Sequence, residues 1–266
     1  MRKYILGISG LLLIATCSVF TSWKNNDKKN VSLESENEAR SNTAYLHHAE
    51  TLYQSAHLKE SGLSFPVFEK ALTGFYNLKK AGRLSDHALL TIADFDQPST
   101  SKRLYVLNVD EKDVLLNTWV AHGQRSGEDQ AVTFSNKNDS FTSSIGFYVT
   151  GEEYHGAHGR SLKLDGMDPG FNDNARLRSI VIHGAPYVSE GTIAALGRLG
   201  RSQGCPAVSP EFSDQLISSL GEGSVLFINR SAEKYSSAYL NEKSAYLAAM
   251  PEINKEALYG TFLRMD

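Results

Sequence analysis

Residues 179–209 read SIVIHGAPYVSEGTIAALGRLGRSQGCPAVS. The run Ile180-Val181-Ile182 is apolar and β-branched, the composition of a buried strand, and it delivers His183 at its end. The stretch closes on Ser202-Gln203-Gly204-Cys205-Pro206, a small glycine-bearing turn that presents a cysteine. A thiol near neutral pH is mostly protonated, so a nucleophilic one needs a neighbouring imidazole, cation or helix N-terminus. A strand-held histidine and a turn-held cysteine meet that need, with His183 as the base and Cys205 as the nucleophile. Arg198 and Arg201 add positive potential on the approach. Gly204 and the Cys205 amide are candidates for an oxyanion hole, because glycine permits tight turns that aim amides at one point. Ser202 or Ser189 is a candidate to orient the imidazole.

The chain has 266 residues, 41% hydrophobic and 21% charged, enough for one substantial domain with extensions and a real core. A formal net charge of -3 without a basic stripe argues against a nucleic-acid partner. No glycine-rich phosphate loop follows a strand, which argues against nucleotide binding. Arg2 and Lys3 precede a nearly charge-free stretch from Tyr4 to Phe20, densest over Leu11–Ala15. It is too short for a spanning helix and reads as a secretory signal over residues 1–23. Leu13-Ile14-Ala15-Thr16-Cys17 resembles a bacterial lipobox, which would anchor the chain by a lipid at Cys17; cleavage near Ser18–Trp23 or an uncleaved anchor are the alternatives. The expected address is therefore exported, the periplasm or cell envelope. Of two cysteines one lies in the signal, leaving Cys205 as the only mature thiol. It has no partner for an internal disulfide, and a glycine-flanked turn is a poor place for a buried hydrophobic plug, so a reactive role is expected.

Residues 24–44 are polar and charged and read as a disordered tether. Residues 45–95 carry apolar residues at helical spacing: Phe68, Ala71, Leu72, Phe75 and Leu78 form one stripe, with Ser64 as cap and Gly82 as stop. Ser85-Asp86 would start a further short helix through Leu90. This region is expected to be a small helical cap. Over residues 96–230 the period switches to two. Leu104–Asp110 and Val114–Ala121 read as a hairpin, with further strands at Ile145–Thr150, Ser161–Asp165, Arg178–Ile182 and Val225–Asn229. Pro210–Leu220 reads as a helix capped by Ser209. The expected fold is mainly β, a mixed β-sandwich or barrel with short helices. Residues 231–266 form a weakly helical extension whose end, Glu256–Phe262, would pack as a surface strap.

His122, His155 and His158 raise a metal alternative with His183 and Cys205, but no HExxH-like helical pair accompanies them. The order Ile182-His183-Gly184-Ala185 … Ser202-Gln203-Gly204-Cys205-Pro206-Ala207-Val208 resembles the active-site signature of murein L,D-transpeptidases, the YkuD-like catalytic domain family. Ser143–Thr150 resembles that family's Thr-Pro-x-Gly-x-Phe strand. The resemblance implies a β-rich catalytic domain over residues 96–230. It also implies acyl transfer on peptidoglycan stem peptides, with catalytic Cys205, His183 and Ser202, and Gly204, Gly184, Arg201 and Gln203 around substrate and oxyanion. Cys205 would form a thioester with a stem tetrapeptide and pass it to an amine or to water, with acylation by a carbapenem following the same route. No cofactor is implied, and membrane contact would come only through an N-terminal anchor. A thiol L,D-carboxypeptidase or endopeptidase, or a wall-binding protein with a decayed site, remain alternatives. Where the family has Ser-His-Gly-Cys and a following arginine, this chain has Gln203 and Pro206-Ala207, the pattern of a divergent branch with a Gly-Cys-Pro-Ala motif. Arg201 or Arg198 would take the place of the missing cation.

Overall fold

The computed structural model describes residues 40–262, with side chains through residue 254. The expected signal, Cys17 and nearly all of the expected tether lie outside the described residues. The described residues from Tyr45 onward belong to one compact unit; of the other unit only residues 40–44 are described.

Short runs rich in apolar residues, buried at successive positions in the central strands, form one eight-stranded sheet. The strands are Leu90–Asp94 (β1), Leu104–Asn108 (β2), Asp113–Thr118 (β3), Gly146–Gly156 (β4), Gly159–Gly166 (β5), Val181–Gly184 (β6), Ala207–Val208 (β7) and Val225–Asn229 (β8). Their order is β3-β2-β1-β8-β4-β5-β6-β7. The β1–β8 and β6–β7 pairs are parallel and the others antiparallel. Beyond β3 the chain returns to the far edge, where Ala121 bridges Ala207 and Gly123 bridges Ser202. The two ends of the sheet thus meet, and a nearly closed barrel results. The mainly β barrel with short helices agrees with the expectation.

Helices cover residues 40–55 (α1), Phe65–Lys80 (α2), Glu190–Leu196 (α3), Pro210–Leu220 (α4) and Glu242–Phe262 (α5). Successive side chains of a strand point to opposite faces, and the two faces bury separate cores. Leu90, Ile92, Phe147, Val149, Val225 and Phe227 pack with Phe68, Leu72 and Phe75 of α2. Tyr148, Leu162, Leu164, Ile182, Leu226 and Ile228 pack with Leu216, Ile217 and Leu220 of α4. Each such side chain contributes about 1.5–3 kcal/mol by leaving water. Helix α2 lies so close to the sheet that a Cβ at Gly74 would stand 2.0 Å from Phe147 Cζ.

Some local expectations fail. The helix expected from Ser85 to Leu90 is absent: Ser85 N–H donates to the Gly223 carbonyl, and Leu90 pairs with Leu107 and Val225 in the sheet. Sheet pairing on both sides outweighs a short, weakly capped helix. The expected strand at Arg178 begins only at Val181, because Ser179 adopts φ 53° and breaks the extended run. The tail Glu256–Phe262 belongs to α5, and its packing lies outside the described side chains. No helix among the described residues is long and apolar enough to cross a membrane.

Candidate active site

Ile180, just before β6, and Ile182 within it turn toward the α4 core, so Val181 and His183 turn the other way. There they line a cleft of about 500 Å³ together with Ser202, Gln203 and Cys205. His183 pairs with Ala207 of β7 in parallel register, which sets Cys205 two positions before the residue beside the histidine. The strand and the turn of the sequence motif are therefore brought to one place by the sheet itself.

His183 is buried, 1% exposed, and its Nδ1 lies 3.0 Å from the Gly184 carbonyl. A carbonyl only accepts, so Nδ1 carries the proton and Nε2 keeps its lone pair. Burial holds the imidazole below the ordinary histidine range. The Gly184 carbonyl opposes that shift, and the charge of His158 reinforces it. The His158 ring, from the β4–β5 hairpin tip, stacks on His183 at 4.3 Å between centroids and 21° between planes. The Cys205 side chain is half-buried, and its Sγ–H donates to the Ser179 carbonyl at 3.7 Å. Burial pushes this thiol up, while the Val181 backbone N–H and the Arg178 charge pull it down. Both shifts favour the neutral forms, a protonated thiol and a neutral imidazole lining one cleft.

The cysteine turn is built to one shape. Ser202 Oγ accepts from Gly204 N–H at 3.0 Å and donates to the Cys205 carbonyl at 2.6 Å. Ser202 N–H donates to the His122 carbonyl and Gln124 N–H to the Ser202 carbonyl. Ser143 Oγ reaches the Gly204 carbonyl at 3.4 Å while accepting from Gly123 N–H. Gly204 sits at φ 123°, and a Cβ there would stand 2.7 Å from the Thr142 carbonyl oxygen.

Cys205, His183, Ser202, Gln203 and Arg201 all line the cleft. Their tasks differ in part from those expected. Ser202 bonds within the turn and not to the imidazole; the group on Nδ1 is the Gly184 carbonyl. Ser189 caps α3 by accepting from Thr192 N–H. The Gly184 α-carbon faces α4, where a Cβ would stand 2.6 Å from Ser213 Oγ, so the residue serves the histidine and not the cleft. Gly204 spends its N–H on Ser202, which leaves the Cys205 amide without an acceptor among the described residues. Arg201 donates to Glu128 at 2.7 Å and Arg198 shares the same carboxylate, so their charge is largely offset. His122 is buried against Arg103, and His155 is exposed on the hairpin. Among the described residues no three His, Cys, Asp or Glu side chains gather to hold a metal. Tyr154, Arg178 and Tyr187 also line the cleft, although the motif does not mark them. For Arg178 the available signal was a cation at the mouth of an apolar run, one of the pair Arg176 and Arg178.

A family model described as the L,D-transpeptidase catalytic domain matches residues 59–229. No match was found among curated proteins. Among solved structures, an L,D-transpeptidase from Mycobacterium smegmatis is similar at 14% identity and a TM-score of 0.34, over 53% of this chain and 58% of that one. L,D-transpeptidase 3 from Mycobacterium tuberculosis, solved with a faropenem-derived adduct, gives 14% identity and a TM-score of 0.33 over 54% and 60%. The helical cell shape determining protein Pgp2 from Campylobacter jejuni gives 15% and 0.36 over 71% and 65%. The chain therefore spans less than two thirds of the length of each. With more than half of its residues matched by the family model, and with the histidine and cysteine of the signature in one cleft, the chain belongs to the L,D-transpeptidase catalytic-domain family.

Proposed function

We propose that the protein is an exported cysteine acyltransferase that acts on the tetrapeptide stems of peptidoglycan. The observation that carries the reading is the shared cleft of Cys205 and His183, with the Gly184 carbonyl fixing the imidazole tautomer. The Cys205 Sγ proton passes to His183 Nε2, and the thiolate attacks the carbonyl that joins the diamino acid to the terminal D-alanine. The Cys205 amide, which has no acceptor among the described residues, is the proposed oxyanion donor. As the C–N bond breaks, the imidazolium returns its proton to the departing D-alanine amine, leaving a Cys205 thioester. An amine of a neighbouring stem then attacks, gives its proton to His183 and releases the thiolate. Water in place of the amine yields a carboxylate and makes the enzyme an L,D-carboxypeptidase. A carbapenem, whose strained carbonyl takes the same attack, would acylate Cys205. Lipid anchoring at Cys17 belongs to this reading as the device that would hold the domain at the envelope.

Incubation with tetrapeptide muropeptides should add the mass of the acyl stem to Cys205, with one D-alanine released per acylation. Cross-linked product marks transfer and free tripeptide marks hydrolysis. Cys205→Ala should abolish both the adduct and D-alanine release; unchanged turnover would sink the proposal.

A further inference from the structure

We propose that Arg178 is the fixed cation of this site, a positioning residue whose guanidinium stabilises the negative charge that the Cys205 sulfur acquires when its proton leaves. The inference rests on the nucleophilic role of Cys205 but on none of the substrate chemistry. The cations nearest the cysteine in sequence, Arg198 and Arg201, are tied to Glu128. Arg178 arrives from the other side of the turn, at the foot of β6, and lines the same cleft. Among the described residues no carboxylate pairs with it. Its terminal nitrogens are held by neutral acceptors only. Nη1 donates to the Ser135 carbonyl at 2.7 Å and to Ser144 Oγ at 3.1 Å, and Nη2 to the Thr142 carbonyl at 2.6 Å and Ser140 Oγ at 3.1 Å. These four bonds fix the position of the charge without cancelling it.

The fixed place is against the turn itself: Nη2 stands 3.1 Å from where a Cβ of Gly204 would be. An opposite charge within a few ångströms favours the ionised form of its neighbour. Burial raises the thiol, and Arg178 is one of the two groups that counter it, the other being the Val181 N–H. With its terminal N–H groups occupied, the guanidinium has no free fork for a substrate carboxylate, so its effect reaches the reaction through sulfur. The other ionisable groups around the cleft are Asp139 from the preceding loop, Tyr154 and His158 from the hairpin, and His183, Tyr187 and Arg201. When the Sγ proton moves to His183 Nε2, the negative charge left behind faces Arg178 and the Val181 amide.

The test is the pH dependence of Cys205 alkylation by iodoacetamide in the full chain, a readout that needs no substrate. Arg178→Met should raise the thiol pKa by about one unit and slow alkylation at neutral pH about tenfold. Arg178→Lys, which keeps the charge but loses the fork, should stay closer to the wild type. A purely structural arginine would predict the opposite ranking: both variants lose thermal stability while their alkylation profiles overlay the wild type. An unshifted profile in Arg178→Met overturns the proposal. Should that variant lose its folded circular-dichroism signal, Ser140→Ala loosens the guanidinium with the fold kept; a smaller upward shift supports the inference and no shift overturns it. Absence of an acyl adduct with muropeptides would remove the proposed function and leave this result standing.

Discussion

At residue 204 the backbone is bent to φ 123°, a region that L side chains rarely adopt. The bend aims the Gly204 N–H at Ser202 and frees the following Cys205 amide, so conformation at one residue decides which amide serves the site. The space is as restrictive as the angle, because a Cβ would press on the Thr142 carbonyl and on Arg178. Both neighbours are anchored to one another by the Arg178 Nη2 bond, so neither yields cheaply. Gly204→Ala should therefore cost about 1–3 kcal/mol of stability in urea unfolding, the range for a strained backbone position. It should also slow Cys205 alkylation, because the turn moves the sulfur away from its partners. An unfolding midpoint equal to the wild type would mean that the turn relaxes freely and that its shape is not enforced.

The β4–β5 hairpin carries an effect of its own kind. Its tip sets His158 over His183, and the cover helps leave the buried imidazole only 1% exposed. His158→Ala should readmit water and remove a like charge, so the His183 pKa should rise toward the ordinary value of about 6.5. The acid limb of the activity profile should move to higher pH with it; a His183 titration followed by NMR that is unchanged in the variant would sink the idea. The same hairpin marks the limit of what local pattern reveals. The β-branched run before His183, the glycine turn at Cys205, the α2 stripe and the Ser209 cap of α4 are carried by neighbours in sequence, and all were legible there. Strand β7 is two residues long and exists because β6 lies on one side of it and Ala121 bridges it on the other. Helix α3 buries no side chain and is held by its Ser189 cap and Gly197 end, which periodicity does not register. His158 reaches His183 because β5 pairs with β6, and Arg178 is held from residues 135–144; these contacts and the closure of the sheet join segments distant in sequence, so spacing alone gave none of them.

That closure ties the stability of the whole molecule to pH. The segment joining the two ends of the sheet runs through Val120 and His122, and both are gripped by Arg103, which is fully buried. Arg103 Nη2 donates to His122 Nδ1 at 2.8 Å, which requires a neutral ring with its proton on Nε2, near the Gly127 carbonyl. The His122 carbonyl in turn receives the Ser202 N–H of the cysteine turn. Burial first, and then the Arg103 charge, lower the His122 pKa to about 4. The unfolded chain takes up this proton near pH 6.5, whereas the folded chain refuses it until about pH 4. Between those values the unfolded state binds more protons, so stability falls as pH falls. The linkage amounts to about 3 kcal/mol over the full window and about 2 kcal/mol from pH 6.5 to 5, where most carboxylates remain ionised. His122→Asn keeps an acceptor for Arg103 and cannot titrate, so its urea-unfolding free energy should decline less steeply over that interval. Buried His183 contributes to both proteins in the same direction and cancels in the comparison. Parallel pH curves for wild type and His122→Asn would show that the buried pair does not govern closure. A steeper wild-type decline would tie the barrel seam, and the cysteine turn bonded to the His122 carbonyl, to the protonation of this buried pair.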